Sequence, residues 1–360
     1  MGGESTMPRA SMPPKERWLA VLNREKPDRL PMEYQATDEA TQKVMEYLGC
    51  SDTWEMFEKL HIDPVVKVKS RYIGPRPQIE ASHDMYGCGY RDVSYGTGMY
   101  PECIYHPLAQ YNSIEEIERN YTWPTADWFD YSVIPDQIKG KEVYPIKGGG
   151  SEPFLVYRDL RGAEAAYMDL SLNPDLVHYC LDKLFGFCYE NTLRVYEQIP
   201  EQVNITYVAE DFGSQEGLLI SPDLIKEFFI PRMKRVIDLA HQAGAYVFFH
   251  SDGAIRKILP DMIEAGIDVL DPIQWRCKGM DREKLKQDFG DKVIFHGGVD
   301  NQFTLAFGSV EEVRQEVIYN IQVLGEDGGY ILAPCHNIQV VSPPENVVAM
   351  YETGYEHGQM

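Results

Sequence analysis

Through the second half of the chain, short apolar runs alternate with amphipathic stretches, and each apolar run ends in a polar cluster. Val203–Ala209 leads into Glu210 and Asp211, and Ala245–Phe249 into His250, Ser251, Asp252 and Gly253. Ile267–Leu270 leads into Asp271, Pro272, Ile273 and Gln274, Lys292–Phe295 into His296 to Asp300, and Tyr330–Ala333 into Pro334 to Asn337. Short continuous apolar runs bounded by turn residues read as buried strands, and stretches of 3.6-residue period as helices. Helices are predicted from Ser221 to about Ile230, Pro231–Ala243, Ile255–Ala265, Asp281–Phe289, Val310–Leu324 and Glu345–Gly354. This rhythm predicts an α/β fold, a (β/α)8 TIM barrel, whose strand C-termini carry the active site.

The first half is less regular. Pro14–Asn23 predicts an amphipathic helix with Trp18, Leu19 and Leu22 on one face, and Arg29–Tyr34 a first strand. Asp38 is the expected cap of a helix closed by Gly49. Trp54–Leu60 reads as a short helix and Pro64–Lys69 as a strand. The Gly-, Tyr- and Pro-rich stretch 72–112 reads as an inserted β-hairpin or meander, a lid over the substrate site or a plain surface loop. Ser113–Asn120, residues 162–169 and Asn173–Tyr196 read as helices. Tyr144–Lys147 is a strand ending in Gly148-Gly149-Gly150, where glycines admit close approach to a ligand. A phosphate-binding loop stays open on a weak signal, with neither a Lys-Ser/Thr ending nor a G-x-G-x-x-G pattern present. Residues 1–13 are expected to be a flexible tail, and 14–360 a single domain with 72–112 as its insertion.

Composition changes the picture chiefly through charge. The 360 residues carry a net charge of -22, which argues against a general nucleic-acid or anionic-membrane surface. No apolar run approaches the ~20 residues of a membrane span. Seven scattered cysteines without a C-x-x-C pair argue against a disulfide framework. A cytoplasmic protein is expected.

The strand-end clusters hold the candidate chemistry. His250, Asp252 and Cys335 offer imidazole, carboxylate and thiolate, all zinc ligands, and a catalytic zinc keeps three protein ligands and one open position. A His at a strand end also serves as an ordinary hydrogen-bonded residue, and a Cys as a small buried apolar one. Glu210 and Asp211 would point to opposite sides if both continued the strand: one into the pocket as ligand, base or anchor, the other bracing a loop or capping a helix. Tyr207, Gln274 and Asp300 are candidate substrate contacts, and His336 a candidate acid/base.

The residues Gly244, Phe249-His250-Ser251-Asp252-Gly253, Ile263–Asp268, Gly297–Asp300 and Gly329–Ile338 together resemble the uroporphyrinogen decarboxylase superfamily. So does the opening Glu16-Arg17 … Leu22-Asn23 … Lys26-Pro27-Asp28-Arg29-Leu30-Pro31. The resemblance implies a (β/α)8 barrel and two chemistries. Its decarboxylases grip a tetrapyrrole with N-terminal arginines, but Arg29-Leu30-Pro31-Met32-Glu33-Tyr34 lacks that pair. Its methyltransferase branch binds zinc through a His-x-Cys pair and a distant Cys; His250 and Cys335 match, while Asp252 replaces the first Cys. The resemblance implies zinc, a small methylated substrate such as an aryl methyl ether, and cobalamin carried by a partner corrinoid protein. Glu210 and His336 would be catalytic, and Asp211, Gln274, Asp300 and Tyr207 would bind substrate. A homodimer stays open. The alternatives are a metal-free decarboxylase drawing on Arg71, Arg76, Arg91 or Arg158, and a non-catalytic ligand-binding barrel.

Overall fold

The structure is a computed structural model that describes residues 11–75, 82–94 and 99–360. The expected tail therefore lies largely outside the described residues, as does Arg76. Contacts group the chain into two compact units, one of Met1–Val65, Lys141–Pro145 and Ile294–Met360, the other of Val66–Gly140 and Ile146–Val293.

The second unit is built on five parallel strands in sequential order: β1 (Val66–Lys67), β2 (Ile146–Ser151), β3 (Ile205–Ala209), β4 (Tyr246–His250) and β5 (Val269–Asp271). Parallel neighbours need a crossover connection, usually helical. Here Pro153–Arg161, Ala163–Leu172 and Pro174–Gln198 join β2 to β3, and Pro222–Phe228 and Ile230–Gln242 join β3 to β4. The centres of β3 and β4 are buried almost continuously, as expected of strands covered on both faces. The insertion is a meander: Ser82–His83, Gly89–Ser94 and Met99–Tyr105 pair antiparallel. It is tied to helix Pro153–Arg161 by Tyr90, whose hydroxyl donates to Asp159 at 2.8 Å, and by His106 against the Asp159 carbonyl at 2.6 Å.

The glycine run of β2 is required by packing. A Cβ on Gly149 would lie 2.5 Å from Thr192, and one on Gly150 2.4 Å from the Tyr207 carbonyl oxygen. Both residues have positive φ, and the β2–β3 register shifts across them.

The first unit pairs β6 (Ile294–Val299) with β7 (Tyr330–Pro334) in parallel. Helix Val310–Leu324, opened by a Ser309–Glu312 capping box, packs on both strands, and Pro344–His357 closes the chain. The expected strand Arg29–Tyr34 is reduced to isolated bridges, Arg29↔Gln359 and Met32↔Leu332. Pro31, with no amide hydrogen, can only accept, and Leu332 donates to its carbonyl at 3.0 Å. The helix over 38–48 is capped by Thr37 rather than Asp38: the Thr37 hydroxyl accepts the Ala40 amide. Arg17 and Arg29 flank the fully buried Asp63, with Arg29 Nη1 2.8 Å from it, and Asp28 holds Arg17 in turn, 2.7 Å from its Nε. The N-terminal residues that carry the family resemblance thus form a buried ionic network.

Candidate functional site

Three donors converge beyond the C-terminal ends of β3 and β4. The ligand atoms of Asp211, His250 and Asp252 all lie within 4.8 Å of one another. Strand register explains much of this. His250 is the last residue of β4 and is paired with Asp271, the last of β5, so the two side chains emerge side by side. His250 Nδ1 lies 2.8 Å from Asp271 Oδ2, and Asp271 is 2% exposed. When the ring is neutral, as under a bound cation, a carboxylate on Nδ1 selects the tautomer whose lone pair sits on Nε2, the arrangement found behind metal-bound histidines.

The two carboxylates are braced in turn. Gln274 Nε2 donates to Asp252 Oδ1 at 2.8 Å while its Oε1 accepts the Gly253 amide at 2.8 Å. The Asp252 amide donates to Asp211 Oδ1 at 3.2 Å. Gln274 therefore acts here as a positioning residue.

The local field is strongly negative. Burial would lower the His250 pKa, yet the Asp271 hydrogen bond and the charges of Asp271, Asp252 and Asp211 push it up to about 9. Burial pushes the Glu152 carboxyl upward, and the Asp211 charge adds to it. Arg158 opposes this from helix Pro153–Arg161, 3.5 Å from the Tyr167 hydroxyl. Tyr207 lies beneath: its ring stacks on Phe248 at 5.4 Å and sits 6.3 Å from the His250 ring.

The structure separates Glu210 from Asp211. Glu210 is 1% exposed, and its carboxylate accepts the Phe154 amide at 2.9 Å, capping helix Pro153–Arg161. Glu210 is thus engaged with the backbone of that helix, while the Asp211 carboxylate lies with His250 and Asp252. Asp300, Cys335 and His336 belong to the other unit. Asp300 accepts the amides of Gln302, Phe303 and Thr304 at 3.0–3.1 Å, bracing its own loop. Cys335 is buried just past β7, its amide donating to Val299, and His336 is half-buried beside it. Sequence reasoning gave no role to Asp271 or Glu152, and named Arg158 only as one of four arginines open to a decarboxylase. Asp271 carried a usable signal, an acid closing an apolar strand; Glu152 had none, since its approach is tertiary.

The uroporphyrinogen decarboxylase (URO-D) family matches residues 13–357. The chain belongs to this family. Its fold is α/β of the (β/α)8-barrel class, and a methyltransferase from Methanosarcina mazei shares it at TM-score 0.68 and 21% identity, over 96% of this chain and 99% of that one. Curated relatives include uroporphyrinogen decarboxylase of Synechocystis sp., 24% identical over 60% of this chain and 56% of that protein. The chloroplastic uroporphyrinogen decarboxylase of Zea mays is 21% identical over 72% of this chain and 64% of that protein. The match thus spans between about half and two-thirds of those relatives' lengths. No helix among the described residues is long and apolar enough to cross a membrane.

Proposed function

We propose that this family member is a metal-dependent methyltransferase that moves a methyl group from a small methylated substrate, of the aryl methyl ether kind, to cobalamin on a corrinoid protein. The convergence of Asp211, His250 and Asp252 carries this reading. The donor set fits a divalent cation: one imidazole with a buried carboxylate behind it, two braced carboxylates, and three protein ligands in total, as in catalytic zinc sites. A cation bound there would supply Lewis acidity toward the leaving heteroatom. The fold likeness to the Methanosarcina mazei methyltransferase supports the choice of reaction. Cys335 enters the ligand set by sequence resemblance alone.

The chain's own residues supply orientation and a proton. Asp271 holds the His250 ring, and Gln274 holds Asp252. Glu152, its carboxyl pushed upward by burial and by Asp211, is the acid placed to serve the leaving group. Glu210 stabilises the helix that carries Arg158, and His336 stands as a further acid/base candidate.

The test is metal analysis of the purified protein and of Asp211→Ala, His250→Ala, Asp252→Ala and Cys335→Ala, alongside methylcobalamin formation with a corrinoid protein. Loss of about one zinc per chain in the first three variants supports the site, and Cys335→Ala decides whether sulfur joins it. Full zinc content in His250→Ala and Asp252→Ala overturns it.

A second reading, decarboxylation of a small carboxylate, is favoured by the names of the curated relatives and by Arg158 beside the acidic cluster. Of the other arginines considered, Arg71 and Arg91 are exposed and engaged by Asp130 and Glu102. Carbon dioxide release without a corrinoid protein would select this reading.

A further inference from the structure

A second cavity, of about 510 Å³, opens beside β1 and β2 and is lined by Lys67, Lys69, Lys147, Ser70 and the Gly148–Gly150 backbone. Its volume lies in the usual range for small-molecule sites. Neither Asp nor Glu lines it, although the chain has 56 acidic residues against 34 basic ones. Neither Lys67 nor Lys69 is in an ion pair among the described residues.

The strand register makes the arrangement self-repelling. Lys67 of β1 is paired with Lys147 of β2, so both side chains project from the same face of neighbouring strands. Like charges directly opposite one another destabilise a sheet. The Lys69 backbone is held in place, its amide donating to Gln137 Oε1 at 3.0 Å and its carbonyl accepting from Gln137 Nε2 at 2.7 Å. An oxyanion among the three ammonium groups would convert the repulsion into attraction.

Lys147 connects the cavity to the neighbourhood of the Asp211, His250 and Asp252 cluster through Tyr207. Lys147 Nζ lies 2.9 Å from the Tyr207 ring centroid, and that ring stands 6.3 Å from the ring of His250. Lys147 Nζ is thus within about 9 Å of the imidazole, with the Tyr207 ring between.

We propose that the Lys67, Lys69 and Lys147 cavity is an oxyanion subsite, which seats a carboxylate or phosphate group of the substrate while its other end reaches Asp211, His250 and Asp252. The orientation toward that cluster rests on the function proposed above; the oxyanion binding does not.

The experiment is calorimetric titration of the chelator-treated full chain at low salt with benzoate and, separately, with inorganic phosphate. Saturable binding of either probe is expected, weakened at least about tenfold by Lys67→Gln, Lys69→Gln or Lys147→Gln and retained in Lys67→Arg. Benzoate alone identifies a carboxylate subsite, phosphate alone a phosphate-ester subsite, and both a general oxyanion subsite. Lys67→Gln should also melt no lower than the parent, because it removes a like-charge pair. Zinc content should be unchanged in all four variants, which keeps this result separate from the fate of the metal site. Absence of saturable binding of either probe, or binding indifferent to all three glutamine substitutions, overturns the subsite.

Discussion

Replacing Asp271 by Asn tests the electrostatics on which the His250 site depends. Asp271 is buried, with its Oδ2 2.8 Å from His250 Nδ1. His250 is held at a pKa of about 9, against an ordinary 6.5, although burial alone would lower it. A group with a raised folded-state pKa adds stability that is fully present below 6.5 and is lost as pH climbs through 9. At about 1.36 kcal/mol per pH unit, the native imidazolium is worth roughly 3 kcal/mol at pH 6 and little at pH 10. The Asp271→Asn protein loses the charge and keeps only a neutral partner, so its His250 should titrate near or below 6.5. The assay is urea unfolding of both proteins at pH 6 and pH 10 with chelator present, because a bound cation displaces the same proton. Comparing the two proteins cancels the cysteines and tyrosines that also titrate in this range. The stability gap between them should shrink by about 2–3 kcal/mol from pH 6 to pH 10. A gap that stays constant within about 0.5 kcal/mol, or a His250 ring resonance in the parent that titrates below pH 7, refutes the reasoning.

Burial holds the Glu210 carboxyl well above its ordinary range, so Glu210→Gln should change stability by less than about 1 kcal/mol, whereas Glu210→Ala strands the Phe154 amide and costs about 1–3 kcal/mol by chemical unfolding. A Gln variant that is stable but inactive would return Glu210 to a catalytic role. Asp63→Ala leaves Arg17 and Arg29 buried without their shared carboxylate and should lower stability by about 3–5 kcal/mol; soluble protein with an unchanged melting temperature would contradict the network. Gly150→Ala places a Cβ 2.4 Å from the Tyr207 carbonyl oxygen at a φ of 130°, so a loss of at least about 1–3 kcal/mol is expected. An unaltered thermal melt would show that the β2–β3 register does not depend on that glycine.

The strands of the second half were legible because each is a short apolar run closed by polar residues, and burial on both faces leaves that trace directly in composition. Tyr246–His250 and Tyr330–Pro334 fall within a residue or two of their expected bounds. Arg29–Tyr34 was misread as a strand because periodicity is blind to how many of its amides find partners; Pro31 can donate none. Asp211, His250 and Asp252 were nameable because they sit at strand ends.

The order of the elements, the strand-end placement of the polar clusters and the available ligand chemistries were thus determined by sequence alone, since local hydrophobic pattern reports burial. Tertiary structure decided which of two adjacent carboxylates joins His250 and Asp252, which acid backs His250, and that Lys67 stands opposite Lys147. Those outcomes depend on register between strands 21 to 80 residues apart along the chain, and a one-residue slip, invisible to any local pattern, would turn every one of these side chains to the other face.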